Sequence, residues 1–395
     1  MGFYCLPRYR KRALSNLALA SSLHLDSRQI LEIAKQSFEN LAINCLEYPR
    51  LEIEKNLASV IQCENPEVAD ALYTQGHGII FFCAHQANWE VLFLDGSSRM
   101  KGVAIGKSIK NKRLYQWILS IRERNGGKII APHNAVREGF RALKKGAFLG
   151  IVGDQGMPSS GYSYPFLGRL GWTSTAPALL AYRANSPVIF AETKRTPTGY
   201  TIRYADPIWP DLNKPMESEI VRIMDKALGL LEKSIQRAPG EWLWQHNRWK
   251  QQTPHKITKR FRHDCLCVVM PQDPAAFEHV SKHLPTLKEI YPTEFISLLI
   301  PTQLREIFVP LETVERLYYQ ELQDTLLTDY RFKLVINFTN FEKIHSHYRK
   351  LSAFEVLNIT ELTALASPHL LPEEKENLSA ILKRALYRPK VTHAS

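Results

Sequence analysis

The chain has 395 residues, too long for one ordinary domain and suited to two at roughly 150–250 residues each. With 45% hydrophobic and 23% charged residues, no low-complexity tract and no excess of Gly or Pro, it excludes a disordered or collagen-like protein. The net charge of +12 is unevenly spread: Lys and Arg outnumber Asp and Glu 36 to 22 over residues 1–260 and trail them 15 to 17 thereafter, which gives +14 and −2. The first part therefore suits an anionic partner, whether phospholipid, nucleic acid or acidic protein, and a basic surface kept for solubility is the plain alternative. No nucleic-acid-binding module is recognisable.

The opening, MGFYCLPRYRKR, is basic and lacks the apolar core of a signal peptide, and nowhere do 18 apolar residues run together. Membrane contact is then expected to be peripheral, unless an upstream segment is missing. Residues 28–46 place Ile30, Ile33, Ala34, Phe38, Leu41 and Cys45 on roughly one face, which predicts an amphipathic helix. GHGIIFFCA (76–84) is a wholly apolar run opened by glycines, as a strand buried on both faces requires. GVAIG, GKIIAP, FLGIVGD and SPVIFAETK follow, separated by helix-like stretches such as AVREGFRALKKG, so the expected fold is a layered α/β domain with a mostly parallel sheet over residues 1–250. QQTPHKITKRFRH (251–263) is polar and basic without apolar periodicity and reads as a linker. Beyond it, DCLCVVMP, EFISLLIP, VERLYY and FKLVINF predict strands of a smaller α/β domain over 264–395, with one helix, AAFEHVSKHLPTLKEIY, between the first two. It has no G-x-G-x-x-G and no P-loop. The six cysteines, Cys5, Cys45, Cys63, Cys83, Cys265 and Cys267, form no CxxC pair and read as reduced thiols of a cytosolic compartment.

The strongest local feature is AHQANWE, which begins where the buried strand at 79–84 stops, the place where α/β sheets put reactive groups. If a helix starts near Asn88, Glu90 can fold back to the His85 imidazole, hold one ring nitrogen and leave the other to accept a proton. A structural histidine at a strand end is the competing reading. Three more stretches combine polar groups with apolar surroundings. In FLGIVGDQGMPSSG, Asp154 and Gln155 close a strand, and Asp154 is either catalytic or a turn cap. In SIRERNGGKII, Arg122 and Arg124 precede a double glycine and can hold a phosphate or an oxyanion, or simply line a solvated helix face. In PGEWLWQHNRWK, three tryptophans lie among His246, Arg248 and Lys250, which suits a lipid–water interface, an acyl chain or a packed core.

These stretches, in this order and together with LPRYRKRALSNLALA, resemble the lipid A biosynthesis acyltransferases, the late enzymes that add secondary acyl chains to the lipid A precursor; the resemblance covers about residues 4–252. It implies an α/β acyltransferase domain, a donor thioester on acyl carrier protein, an acceptor hydroxyl on a glycolipid of the Kdo-lipid IVA type, and no metal or cofactor. It places the family's His-x4-acid motif on His85 and Glu90, its Asn-Trp pair on Asn88 and Trp89, its arginine on Arg122, its Asp-Gln on Asp154 and Gln155, and its terminal arginine on Arg248. The implied roles are general base for His85, orienter for Glu90, oxyanion or phosphate support for Arg122, a site role for Asp154, and substrate binding for Asn88, Gln155 and Arg248. The implied location is the cytoplasmic face of the inner membrane, whose anionic surface, like acyl carrier protein, suits the basic first part. An acyl-CoA-dependent glycolipid acyltransferase and a catalytically silent lipid-binding relative are the alternatives. Members of this family usually carry an apolar spanning helix before the LPRYRKR-like stretch, and they do not require residues 264–395. Those residues resemble, in strand pattern alone, the N-terminal half of a heptosyltransferase-like glycosyltransferase, and are expected to be structural or regulatory.

Overall fold

A computed structural model of the protein describes residues 2–388. Internal contacts divide it into two units, residues 2–3 with Glu32–Arg248, and Tyr4–Leu31 with residues 249–388. This corrects the expected domain limits in two places. The helix Pro7–Leu19, begun by a proline whose missing N–H has no partner to lose, belongs to the second unit: the Ser15 hydroxyl donates to the Arg331 carbonyl at 2.8 Å and the Lys11 ammonium to the Ala353 carbonyl at 2.6 Å. Residues 251–263 are likewise no free linker. Ile257 bridges to Tyr387, and Ile257 and Phe261 are buried in that unit's apolar core, two anchors that a polar composition hides.

The first unit is built on nine strands: β1 (Ile61–Cys63), β2 (Ile79–Cys83), β3 (Gly102–Ile105), β4 (Lys128–Ile130), β5 (Phe148–Val152), β6 (Ser163–Phe166), β7 (Arg169–Trp172), β8 (Val188–Arg195) and β9 (Tyr200–Tyr204). Seven form one sheet in the order β1-β9-β8-β2-β5-β3-β4, parallel at every pairing except β8 with β9. The apolar runs read from the sequence are β2, β3, β4, β5 and β8, with β4 at the sheet edge, and β1 and β9 were not foreseen; β2 is buried at all five positions because helices cover both faces of a parallel sheet. Each fully buried Phe or Leu there contributes about 1.5–3 kcal/mol. The β6–β7 hairpin was not foreseen. Its turn, Leu167-Gly168, has positive φ at both residues (48° and 85°), the geometry that fits strand twist, but Leu-Gly is not a pair that advertises it.

The second unit holds β10 (Cys265–Val269), β11 (Phe295–Pro301), β12 (Glu315–Tyr319), β13 (Leu334–Asn337) and β14 (Glu355–Asn358), all parallel, in the order β12-β11-β10-β13-β14. The single helix expected between the first two strands is two, Pro274–His283 and Pro285–Ile290, because Pro285 cannot donate the hydrogen bond that would continue the first. In this unit the His263 ring stacks on Phe354 at 5.2 Å, and its Nε2 is shut away without a hydrogen-bond partner among the described residues. Burial, with Asp264 pulling the other way and Lys333 opposing, pushes its pKa down to about 4. The folded unit therefore binds this proton less readily than the unfolded chain does. Its stabilisation is complete above about pH 6.5 and is lost as the pH falls towards 4, on the order of 2 kcal/mol. Denaturant melts at pH 7 and pH 4.5 should show that loss in the second unit's transition, and His263→Phe should remove most of it; an unchanged pH dependence in the variant would assign the loss elsewhere.

Candidate active site

β2 and β5 are adjacent and parallel, and their last residues, Cys83 and Val152, are partners in register. His85 and Asp154 each lie two residues beyond, so the sheet itself brings them face to face at its C-terminal edge. The Asp154 carboxylate takes three donors there: His85 Nδ1 on Oδ1 at 2.7 Å, and the His85 backbone N–H (2.8 Å) and Trp242 Nε1 (2.7 Å) on Oδ2. Burial alone would raise the pKa of this carboxyl. The charge and hydrogen bond of His85, with His246 and Trp242, outweigh it and hold Asp154 well below the usual carboxylate range. An ionised carboxylate can only accept, so Nδ1 carries a proton, and in the neutral ring the lone pair is on Nε2. Nε2 has no hydrogen-bond partner among the described residues, and the side chain keeps 14% of its surface open. Trp89 and His246 flank the ring, with centroids at 4.7 and 4.5 Å.

The expected pairing of Glu90 with His85 is corrected by this geometry. Glu90 opens the helix Glu90–Arg99, is buried, and binds Arg122 through both oxygens at 2.5 and 2.7 Å. The carboxylate bonded to the imidazole is that of Asp154, which the sequence left between two roles. Burial opposes the charge on Arg122, but Glu90 and the Tyr48 hydroxyl outweigh it and raise its pKa further, so the guanidinium stays cationic.

Asn88, expected to bind substrate, is enclosed: its amide donates to Glu47 Oε2 (3.1 Å) and the Tyr200 hydroxyl (3.3 Å), and its oxygen accepts from the Glu90 N–H (3.2 Å). Arg248 is enclosed too. It is fully buried, donating to the Trp172 carbonyl (3.0 Å) and the Thr173 hydroxyl (2.7 Å) over the Phe166 ring; Gly171 leaves the guanidinium room that a Cβ would fill, and Gly156 does the same for the Arg248 backbone carbonyl. Neither side chain presents a polar group to solvent in this structure. Trp242 and Trp244 are core residues as well, so neither lines an interface. Gln155 is exposed beside the site.

The turn between His85 and Glu90 is held by residues the sequence reading passed over. Ala87 has φ of 45°, a left-handed conformation that a side chain disfavours, at about 1 kcal/mol or more. Its carbonyl accepts from Asn44 (2.5 Å) and Asn40 (3.1 Å) of the helix Ser27–Ile53, and its N–H donates to the Glu241 carbonyl at 3.0 Å. Arg195 ties the clamp together, donating to the side-chain oxygens of Asn40 and Asn44 at 3.1 and 2.6 Å and to Glu47 at 2.6 Å. On the far side, Leu243 N–H donates to the His85 carbonyl (3.0 Å) and Gln86 pairs with Trp242, which fixes the indole on Asp154.

No curated relative matches the chain. Residues 2–251 match the family described as bacterial lipid A biosynthesis acyltransferase, a span that takes in β2, β5 and every residue of the site just built. An imidazole backed by a buried carboxylate can take up a proton through its second nitrogen, and on the match over residues 2–251 the chain belongs to this family and is an acyltransferase.

Proposed function

We propose that the protein moves a fatty acyl chain from an acyl carrier protein thioester to a hydroxyl of a lipid A precursor of the Kdo-lipid IVA type, with His85 as general base and Asp154 as its orienter. The observation that carries this reading is the 2.7 Å bond from His85 Nδ1 to Asp154 beside an unpartnered Nε2. Nε2 takes the proton of the acceptor hydroxyl as its oxygen attacks the thioester carbonyl. The carbon–sulfur bond then breaks and the thiolate recovers the proton from the imidazolium, so no bond to the enzyme forms. Asp154 stabilises the imidazolium between the two steps. Arg122, held in place by Glu90, is assigned to the developing oxyanion or an acceptor phosphate, and Gln155 to substrate contact.

The carrier protein is named as donor because the family resemblance implies it; the +14 of residues 1–260 suits an acidic carrier protein and anionic CoA alike. The test is transfer of a labelled acyl group by the purified full chain, with carrier-protein and CoA thioesters offered in parallel against a lipid A precursor and other glycolipids. An ester on the lipid A precursor, formed faster from the carrier thioester, is expected. No transfer to any glycolipid would overturn the reading.

A further inference from the structure

The second unit contains a cavity of about 700 Å³ along the helix Leu378–Leu386 and the two residues after it, and none of its lining residues belongs to the site built above. Its charge is set by how the basic stretch 251–263 folds. Residues 256–258 run antiparallel to 386–388: Ile257 bridges Tyr387, the Arg388 N–H donates to the Lys256 carbonyl at 2.8 Å, and the Thr258 N–H donates to the Leu386 carbonyl at 2.9 Å. In that register Lys256 and Arg388 are directly opposite, their side chains share one side of the pair, and both line the cavity. Like charges so placed repel and lower stability.

Neither of these cations has a carboxylate partner among the described residues; the Lys256 ammonium rests 4.7 Å from the centre of the Tyr387 ring. A third cation beside them, Arg262, is spent on the Ile257 and His255 carbonyls, and burial, then the charge on Arg388, lower its pKa. The other cations of the wall are compensated. Lys383 pairs with Glu289 at 2.6 Å, and Arg384 holds both oxygens of Glu374, the one acid of the lining, at 3.0 and 3.2 Å. The surplus of positive charge is therefore that of Lys256 and Arg388. Asn377, at the start of the helix, accepts from the Ala380 N–H at 3.2 Å through its side-chain oxygen, and its amide hydrogens have no acceptor among the described residues.

Two adjacent positive charges, one a guanidinium fork and one an ammonium, match a dianion with several oxygens. A phosphomonoester carries about −1.5 to −2 charges at pH 7 on three oxygens, whereas a carboxylate brings one charge on two. The cavity is far larger than a bare phosphate fills and falls within the roughly 300–1,000 Å³ of small-ligand pockets, which leaves room for an organic body. We propose that this cavity binds a phosphorylated small molecule, with the phosphate between Lys256 and Arg388 and the organic part along the helix Leu378–Leu386. The site lies wholly in the second unit and stands whether or not the first transfers an acyl group.

The test is calorimetric titration of the full chain with glucose 6-phosphate, adenosine monophosphate, inorganic phosphate, glucose and adenosine. At least one of the two esters is expected to bind with one-to-one stoichiometry, more tightly than inorganic phosphate, and the two neutral compounds not at all. Lys256→Gln and Arg388→Gln should each weaken that binding roughly tenfold or more, the worth of a hydrogen bond to a charged group. Lys256→Arg keeps the charge and should bind like wild type. Each Gln variant also removes a repelling neighbour, so in phosphate-free buffer its second unit should melt no lower than wild type, which shows that it folds. Four results would overturn the proposal: no binding of either ester, equal binding of the neutral compounds, inorganic phosphate bound as tightly as both esters, or wild-type affinity in the Lys256→Gln, Arg388→Gln double variant. So would binding to phosphatidylglycerol vesicles that the double variant loses, with no binding of the soluble esters, since the ligand would then be a lipid surface.

Discussion

Replacing Asp154 by Asn is expected to lower turnover by about 10³- to 10⁴-fold while the protein stays folded, because an amide can donate to Nδ1 and so hold the imidazole in the tautomer whose lone pair points away from the acceptor. His85→Ala should cost about as much, since general-base action supplies roughly 10²- to 10⁴-fold and its loss leaves Asp154 with nothing to orient. The two losses should not add, since both disable one unit, and the double variant should match the worse single one. Glu90→Gln separates the readings. If Glu90 serves only Arg122, the variant keeps the wild-type pH–rate profile in the neutral range and changes the dependence on acceptor instead. A shift of that profile by Glu90→Gln, with Asp154→Asn left near wild type, would return the orienting role to Glu90.

The second large effect is expected on stability. Arg195→Ala leaves Glu47, Asn40 and Asn44 without their shared donor in a half-buried setting, where breaking one side of an ion pair costs roughly 3 kcal/mol. Arg195→Lys should recover little of it, because an ammonium cannot reach three acceptors in one plane as the guanidinium fork does. Denaturant melts of the first unit's transition measure the cost. If either variant melted like wild type, Arg195 would have no part in holding the turn.

The inner strands were legible from apolar runs, since a strand buried on both faces needs an unbroken one, and the β2 and β5 runs have that form; β1 and β9, short or alternating with polar residues, were not. What the sequence could not show is which strands are neighbours. Glu90 is five residues from His85 and Asp154 sixty-nine, so proximity along the chain favours the wrong carboxylate, and only the β2–β5 pairing reverses the choice. The clamp was hidden for another reason. Ser37, Asn40, Asn44 and Glu47 recur at helical spacing on the buried side of their helix, a polar stripe that looks like a solvated face until its partners are known. The terminal arginine misled in the opposite sense: a cation among tryptophans suggests a ligand, but Gly171 leaves room for its guanidinium inside the protein, against the Trp172 carbonyl and the Thr173 hydroxyl.

The Ala87 carbonyl, gripped by two asparagines from more than forty residues earlier in the chain, ties chemistry to the order of assembly. A nascent chain that has formed β2 and β5 but has not yet seated that helix has the catalytic groups and not the turn that aims them. Competence then requires both strands and the helix together, so a chain that lacks either is silent and does not spend its donor on water.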